Sequence, residues 1–408
     1  MVLDHDDLYQ IQPKIEIMMK QAHTGEIVKG LGQKSCSALR KLLAKDILLT
    51  RPLNSFIEQE GKAINQLTLD QFKYLDFSAS HTRAAFCGGP GTGKTLLAYE
   101  KARRLAAEGK RTLLTCYNIP LEAYLKSQGK VENLTIMRFH QLCFYAAESA
   151  SLSLLTPDQI KNSNESNYWN EYLPSSLEDN AESLEPFDAI VIDEGQDFSD
   201  SYWIPLLYCL KDPEKSDLFV FLDPNQDIYQ SQSDLIKELP RFELQENLRN
   251  SQAIYQLASS LNLGGNQKSV GPKGRTPELI EIQDEGKLEK AIHKLLHKLI
   301  QEEAVKPEHI AVLTGRRPIS LNLGSNGKLG SFLVTTSEAQ KSNHLILDTI
   351  HRFKGLDAPI VILAGFEGIP ESAINGLLYV GMTRAQSHLI LLAHPALLAK
   401  FAVPVSDG

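Results

Sequence analysis

The sequence predicts an α/β protein built on parallel sheets, and three observations support this fold class. The glycine-rich segment Gly88 to Thr95 lies between an apolar run and an amphipathic one, as a phosphate-binding loop between a strand and a helix requires. Apolar runs alternate with helical patterns from Leu67 onwards. One of these runs ends in Asp193 and Glu194, and ligand sites lie at the carboxyl ends of parallel strands.

Length and composition limit the class of protein. The chain has 408 residues, of which 42% are hydrophobic and 23% charged, which suits two or three soluble domains. A formal net charge of -8 argues against a surface that coats polyanions, but it leaves a local basic groove open. The 5 cysteines are widely spaced and include no C-x-x-C, so they predict buried thiols and no zinc or disulfide framework.

The expected location is the cytoplasm, with no membrane partner. No apolar run approaches the ~18 residues that span a bilayer. The N-terminus carries Asp4, Asp6 and Asp7, which is the wrong charge for a signal peptide.

The first half of the chain divides into two stretches. Residues 1–66 form short helical patterns without visible chemistry, and we expect an N-terminal helical segment. Residues 67–246 carry the first alternating series, interrupted by a polar insertion at about 141–186. Its predicted strands are Ala84–Gly88, Thr112–Cys116, Asn133–Met137, Phe187–Ile192 and Leu218–Leu222. The insertion contains Tyr168, Trp169 and Tyr172, which either meet a base or anchor the insertion to the body; anchoring is the favoured interpretation.

Residues 247–408 carry a second alternating series, with a polar excursion at 314–343. The predicted helices are Ser251–Leu261 and Gly286–Gln301, and the predicted strands are Glu278–Ile282, His309–Leu313, Leu345–Thr349, Ile360–Leu363 and His388–Leu392. Two sheets, one in each series, are therefore expected.

The chemistry predicted for the glycine loop is the binding of a nucleoside triphosphate. Its backbone N–H groups would face phosphate oxygens, together with the positive end of the following helix. Lys94 would reach the β- and γ-phosphates and Thr95 would hold Mg²⁺. The loop residues assigned to the nucleotide are Gly88, Gly89, Gly91, Thr92, Gly93, Lys94 and Thr95.

The acids and two arginines predict a hydrolytic site. Asp193 is suited to the Mg²⁺ shell, and Glu194 can orient and deprotonate a water in line with the γ-phosphate. Arg249 and Arg384 are candidates for stabilising the charge that develops on the γ-phosphoryl group. Because both arginines belong to the second series, ATP is expected in a cleft between the two halves.

Several stretches, in order and spacing, resemble the motifs of superfamily 1 helicases of the UvrD/Rep-like group. These stretches are Leu67–Gln71 (Q motif), Gly88–Thr95 (motif I), Thr115–Pro120 (Ia), Thr135–His140 (Ib), Asp193–Phe198 (II), Asp223–Tyr229 (III), Asn247–Ser251 (IV), Thr349–Asp357 (V) and Tyr379–Ala385 (VI). The resemblance covers residues 67–395 and looks most like compact helicase-like ATPase modules found behind a nuclease-related domain.

The resemblance implies two RecA-like P-loop domains, with ATP and Mg²⁺ between them. Gln71 would read adenine, Gln226 would sense the γ-phosphate, and Gly355 and Asp357 would contact the nucleotide. Single-stranded or tailed DNA would touch a set of motif residues, namely Asn118, His140, Thr349 and His351. Movement from 3′ to 5′ and a nuclease domain or partner protein are further implications.

Several departures from the family pattern leave alternatives open. Leu248 replaces a tyrosine, Asp357 replaces a glutamate, and the residues after Tyr229 (QSQSDL) lack the usual aromatic platform for bases. The accessory insertions are also reduced. The alternative is therefore a nucleotide-gated regulatory or binding module that switches a partner, such as a nuclease, without unwinding. An RNA-directed helicase is disfavoured by the form of motif II.

Overall fold

The structure, a computed structural model, describes residues 53–152, 154, 159–160, 167–224, 234–261 and 267–401. Most of the N-terminal segment, residues 1–52, therefore lies outside the described residues, as do Cys36 and Gln226. The described residues from Leu53 onwards belong to one compact unit. Among the described residues, no helix is long and apolar enough to cross a membrane.

The first sheet holds the glycine loop and the acidic motif. Within the described residues it has 6 strands, all parallel, in the order β3-β2-β4-β5-β1-β6. The strands are β1 (Arg83–Gly88), β2 (Thr112–Cys116), β3 (Leu134–Arg138), β4 (Ala189–Ile192), β5 (Asp217–Leu222) and β6 (Arg241–Leu244). All residues of β2, β4 and β5 are buried, as expected for a parallel sheet covered on both faces. The five predicted strands are confirmed, with ends that differ by up to two residues.

The helices of this half connect the strands and lead into them. They are α1 (Leu53–Asp70), α2 (Lys73–Phe77), α3 (Lys94–Ala107), α4 (Ile119–Ser127), α5 (Phe139–Ser149), α6 (Leu173–Asn180), α7 (Asp200–Tyr208) and α8 (Asp234–Lys237). A π-helical turn, Tyr168–Tyr172, precedes α6. Helix α1 runs across residue 66, and its first turns pack on the second sheet through Leu53 and Ile57.

The described part of the insertion packs against the first sheet. Helix α5 and the described part of the insertion share one buried cluster with the first sheet. Tyr168 is 3% exposed and belongs to this cluster, which confirms its anchoring role. Trp169 and Tyr172 are partly exposed or exposed, so the three aromatic residues do not share one role.

The second sheet follows a two-stranded link. The link pairs β7 (Glu246–Asn247) with β8 (Lys268–Ser269). The sheet itself has the order β11-β12-β13-β10-β14-β15-β9 among the described residues, and only the β11–β12 pair is antiparallel. Its strands are β9 (Glu278–Glu281), β10 (Ile310–Thr314), β11 (Lys328–Leu329), β12 (Phe332–Thr335), β13 (Leu345–Thr349), β14 (Ala358–Ala364) and β15 (Ala385–Ala393). The helices of this half are α9 (Gln252–Ser259), α10 (Leu288–His297), α11 (Glu371–Met382) and α12 (Pro395–Leu398).

The polar excursion predicted at residues 314–343 contains two strands that the sequence analysis did not predict. This stretch contributes β11 and β12, and β12 pairs in parallel with β13. The residues of β12 are partly or fully exposed, and its apolar run is only three residues long, shorter than the run that marks a buried strand. One buried cluster joins the two sheets, with Phe86 of β1 and Leu378 of α11 among its members.

Candidate active site

The glycine loop connects β1 to α3 as predicted. Gly91 and Gly93 have φ angles of 76° and 79°, a region that residues with a Cβ rarely adopt. A Cβ on Gly91 would lie 2.5 Å from Asn247 Nδ2. The loop is therefore restricted to glycine there both by its own backbone and by the segment that follows β6.

Lys94 and Thr95 open α3 and are both buried. Lys94 Nζ donates hydrogen bonds to the carbonyls of Gly88 at 2.8 Å and Gly89 at 2.9 Å. It also lies 3.8 Å from Asp223 Oδ2. The ammonium group is thus held over the loop, at the end of the helix whose free N–H groups favour an anion.

Asp193 follows β4 and is fully buried. Its Oδ1 accepts the Glu194 N–H at 3.0 Å, whereas Oδ2 has no hydrogen-bond partner among the described residues. Burial and the neighbouring Glu194 raise the pKa of Asp193 to about 7, and the Thr95 hydroxyl and Lys94 oppose this rise. A buried carboxylate oxygen without a partner, beside a threonine hydroxyl, fits a hard cation such as Mg²⁺.

No cluster of three or more His, Cys, Asp or Glu side chains suited to a metal occurs among the described residues. Mg²⁺ commonly takes one or two protein ligands together with substrate phosphates. The pair Thr95 and Asp193 therefore matches an ion that is completed by a nucleotide.

Glu194 has a φ angle of 53°, in the left-handed region that residues with a Cβ rarely adopt. Its Oε2 accepts a hydrogen bond from Gln196 Nε2, and Gln196 Oε1 in turn accepts the Asp223 N–H at 2.9 Å. Burial raises the pKa of Glu194. The cations Lys354, Lys94 and Arg384 and the Gln196 hydrogen bond lower it by more than burial raises it, so the net shift is downward. Glu194 is thus held as a carboxylate.

The charges around Glu194 come from both sheets. Lys94 belongs to the first half, whereas Lys354 and Arg384 belong to the second. The Arg384 guanidinium is 7% exposed and donates to the carbonyls of Val380 at 3.1 Å and Leu356 at 3.3 Å. The structure therefore places Arg384 near the predicted base, as the sequence implied.

Arg249 lies in the same region but is paired. Its Nη1 lies 2.7 Å from Asp357 Oδ2, and Asp357 Oδ1 accepts a hydrogen bond from Gln386 at 2.8 Å. Burial lowers the pKa of Arg249, but Asp357, Tyr124 and Asp193 raise it, and the net shift is upward. Asp357 thus positions Arg249 in this structure, which is a different contact from the nucleotide contact predicted for it.

Gly355 lies beside the acidic motif. Its φ angle is 81°, and a Cβ there would lie 2.9 Å from Leu121 Cδ2 and 3.5 Å from Glu194 Oε1. The position needs glycine because the backbone of the second half approaches the first half closely here.

Gln71 is 2% exposed, between α1 and α2. Neither its Oε1 nor its Nε2 has a hydrogen-bond partner among the described residues. A buried amide with one donor and one acceptor unused fits the edge of adenine, which offers both. The adenine role of Gln71 stays a prediction.

Two groups of residues were missed by the sequence analysis. The first is the ion pair between Lys354 Nζ and Asp197 Oδ1, whose side chains are 8% and 11% exposed. Burial and Glu194 raise the pKa of Asp197 to about 6, whereas Lys354 lowers it. Both residues lie inside stretches quoted as motifs II and V, so their position was a signal that could have identified them.

The second group is the pair Asn247 and Asn250. Asn247 Nδ2 donates to the Pro90 carbonyl at 2.9 Å, and Asn250 Nδ2 donates to the carbonyls of Thr383 at 2.9 Å and Ala385 at 2.6 Å. Asn247 also donates to Asn250 Oδ1 at 2.8 Å. These amides form a continuous connection from the glycine loop to the residues on either side of Arg384.

A cleft of about 740 Å³ opens beside this site, and it contains three of the predicted nucleic-acid residues. Asn118, His140 and His351 line it, whereas Thr349 lines the adjoining cavity, which shares His351 with the cleft. Asn118 Nδ2 donates to the carbonyls of Arg352 and Lys354, both at 3.0 Å, so it also links the two halves. Burial lowers the pKa of His140 to about 4, which makes its ring neutral at pH 7.

Comparison with known proteins gives two family models. An AAA domain model matches residues 73–232, and a UvrD-like helicase C-terminal domain model matches residues 344–392. The first contains the glycine loop and the acidic motif, and the second contains Lys354 and Arg384. No curated protein matches the sequence.

Similar solved structures are viral helicases. The PRRSV helicase has 14% identity and a TM-score of 0.39, covering 78% of this chain and 54% of that one. Arterivirus nonstructural protein 10, a helicase, has 14% identity and a TM-score of 0.37, with 78% and 62% covered. Its complex with DNA has 13% identity and a TM-score of 0.38, with 78% and 63% covered. The chain spans 54% to 63% of the length of these proteins.

The two family models match the parts of the chain that build the two sides of the site. The first contains the glycine loop, Asp193 and Glu194. The second contains Lys354 and Arg384, two of the cations that lower the pKa of Glu194. The chain therefore contains an AAA domain and a UvrD-like helicase C-terminal domain, which supports the resemblance to superfamily 1 helicases found in the sequence.

Proposed function

We propose that the protein is a nucleic-acid-dependent ATPase of the helicase type, which hydrolyses ATP between its two sheets and moves on single-stranded DNA. The observation that carries this proposal is the charge arrangement at Glu194. One buried carboxylate is held ionised by Lys94 from the first half and by Lys354 and Arg384 from the second. A base that needs both halves is suited to a reaction that couples to their relative movement.

The proposed roles follow from the positions of the side chains. Lys94 binds the β- and γ-phosphates, and Thr95 and Asp193 would hold Mg²⁺, which supplies charge neutralisation on the phosphates. Glu194 accepts a proton from the attacking water, and Gln196 fixes the orientation of that carboxylate. Gln71 reads adenine through its two unused amide atoms.

Arg384 and Arg249 stabilise the charge that develops on the departing phosphate. Arg384 is held by main-chain carbonyls, and Arg249 is held by Asp357. The hydrogen bonds of Asn247 and Asn250 link the glycine loop to the two residues that flank Arg384. Phosphate binding at the loop and closure of the second half are therefore linked in this proposal.

The two halves correspond to RecA-like domains at residues 67–246 and 247–408 in this proposal. Single-stranded DNA lies in the cleft lined by Asn118, His140 and His351 and continues past Thr349. Movement from 3′ to 5′ is carried over from the family. Asn118 is hydrogen-bonded to the loop that contains Lys354, and Lys354 is one of the cations near the catalytic base Glu194, so the strand and the base are linked through this loop.

Strand displacement tests this proposal beyond ATP hydrolysis. Duplexes with a 3′ tail, a 5′ tail or no tail are mixed with the protein, ATP and Mg²⁺, and the released strand is measured. The proposal predicts release from the 3′-tailed duplex alone. ATP hydrolysis stimulated by single strands without release from any duplex would instead favour translocation without unwinding, and preferred release from the 5′-tailed duplex would refute the polarity.

ATP turnover that does not respond to nucleic acid would favour the alternative, a nucleotide-gated switch. Matched DNA and RNA tails separate a DNA-directed enzyme from an RNA-directed one. Glu194→Gln in the same assay provides the control, because it keeps the size of the side chain and removes the base.

A further inference from the structure

The cleft has an aromatic wall built around Trp169. His140 packs edge-on against the indole, with ring centroids 5.2 Å apart and planes at 63°, and Phe144 does so at 6.2 Å and 77°. Tyr117, which is 38% exposed, packs edge-on against His140 at 5.4 Å. All four residues line the cleft. They form a wall large enough for a planar ligand.

Among the described residues, no ring stacks in parallel on the Trp169 indole. Each ring contact of Trp169 with a described residue is edge-to-face, including the one with Tyr168 at 85°. Aromatic systems also stack with offset parallel planes, and a nucleobase has the flat face that such stacking needs. A base is therefore a better partner for this position than another edge-on side chain.

Side chains of α7 hold the turn that carries Trp169. The Tyr202 hydroxyl lies 3.5 Å from the Trp169 carbonyl and 3.0 Å from Asn170 Oδ1, and Ser201 Oγ donates to the Asn170 carbonyl at 2.7 Å. Tyr202 itself is 1% exposed. The turn that carries the indole is thus fixed to α7, which follows the acidic motif in the chain.

The cations of the cleft are already paired with carboxylates. Arg138 Nε lies 2.6 Å from Glu122 Oε2, and Arg352 Nε lies 3.2 Å from Asp348 Oδ1. Lys354 pairs with Asp197. A phosphate that approaches these cations competes with an existing ion pair, so they add less to affinity than free cations would. No described ring stacks in parallel on Trp169, so a base would displace no such partner there, and His140 is neutral at pH 7.

We propose that Trp169 is a stacking platform for a nucleobase of the single strand in this cleft. The inference rests on the proposed function, because it assigns a binding residue to the same strand. It also accounts for a departure in the sequence: the residues after Tyr229 lack the aromatic platform expected there, and the insertion supplies one from another part of the chain.

Intrinsic fluorescence gives a direct test, because the protein has 2 tryptophans and Trp203 is only 2% exposed. The probes are an oligodeoxythymidylate and an abasic deoxyribose-phosphate chain of the same length. We expect the oligodeoxythymidylate to quench the wild-type protein and the abasic chain to leave the signal unchanged. Equal quenching by both probes would overturn the proposal.

The matching variants are Trp169→Ala, Trp169→Phe and Tyr172→Ala, with affinity measured by the anisotropy of a labelled strand. Trp169→Ala should weaken binding of the oligodeoxythymidylate about tenfold or more and leave the abasic chain unaffected, and Trp169→Phe should retain most of the affinity. Tyr172 lies in the same turn and is 49% exposed, but it does not line the cleft. Tyr172→Ala should therefore bind both probes with the affinity of the wild type.

The two proposals fail in different ways. If Trp169→Ala binds the oligodeoxythymidylate like the wild type while ATP turnover still responds to it, the stacking role is refuted and the proposed function stands. If the wild type neither binds the oligodeoxythymidylate nor responds to it, the proposed function is refuted, and the stacking role with it. If Trp169→Phe or Tyr172→Ala loses as much affinity as Trp169→Ala, Trp169 has a packing role and the proposal is refuted.

Discussion

Replacing Lys354 by Met tests how the two halves are joined. The Lys354 and Asp197 side chains are 8% and 11% exposed, and the pair connects the motif that follows β4 to the loop that precedes β14. Removing one partner of a buried ion pair leaves the other charge without compensation, which costs about 3–5 kcal/mol of unfolding free energy. We expect a loss of that size at pH 8.

The pH dependence of this loss follows from Asp197. Its pKa is about 6 because burial and Glu194 raise it, while Lys354 lowers it. Without Lys354 the pKa rises further, so near pH 6 the carboxyl group is protonated and the buried charge is removed. Because the native state then binds a proton that the unfolded state has lost, the variant loses stability as the pH rises from 6 to 8.

Urea unfolding at pH 6 and pH 8 measures the loss, and two further variants serve as controls. Lys126→Met removes a lysine whose side chain is 47% exposed and which pairs with Glu122 at 2.6 Å, so it should cost less than about 1 kcal/mol. Adding Asp197→Asn to Lys354→Met should restore part of the stability. A loss below about 1 kcal/mol at pH 8, or one that does not grow with pH, would refute the reasoning.

Three other predictions concern single residues. Lys94→Ala should lower ATP turnover by on the order of a hundredfold or more in a steady-state assay, with a stability loss of about 1–3 kcal/mol because Nζ bonds two loop carbonyls; persistent turnover would refute the phosphate role. His140→Phe should reduce the loss of unfolding free energy that occurs on acidification. The native ring has a pKa of about 4 against an ordinary 6.5, so stability present above pH 6.5 is lost on acidification towards pH 4. Between pH 7 and 4.5 the variant should lose about 2 kcal/mol less than the wild type by urea unfolding, and parallel losses would contradict burial of the ring. Asn250→Ala should cost about 2–4 kcal/mol and reduce ATP turnover, because it removes hydrogen bonds to Thr383 and Ala385; unchanged turnover would show that this connection does not serve catalysis.

The sequence predicted the buried parts of the fold well. Parallel strands such as β4 and β5 are continuous apolar runs, and the glycine loop has a spacing that few other structures require. Strand β12 was missed because only three apolar residues in a row mark it, within a stretch rich in glycine, serine and asparagine. Local patterns carry little information about such strands because pairing with a neighbour, and not burial, defines them.

The site was predictable where a residue type carries the chemistry by itself. Lys94, Asp193 and Glu194 belong to this class, and the structure brings them together. The pairing of Lys354 with Asp197 joins residues that are 157 positions apart, and only the tertiary structure shows it. The neutrality of His140 likewise depends on burial, which a motif does not reveal.

Tyr168 and Trp169 also show that a sequence pattern does not reveal which side chains are buried. The two residues are adjacent in the sequence and similar in chemistry, and the sequence analysis predicted one role for both. In the structure Tyr168 is buried, whereas Trp169 lines the cleft. The π-helical turn that carries them decides which ring faces which way.

The central claim is that ATP hydrolysis at the site between the two sheets depends on nucleic acid. Steady-state ATP turnover, measured with Mg²⁺ while single-stranded DNA is titrated into wild-type protein and Glu194→Gln, tests it most directly. We predict strong stimulation of the wild type and no turnover by Glu194→Gln, which should still bind ATP. Turnover that is the same with and without DNA, or that survives in Glu194→Gln, would contradict the account.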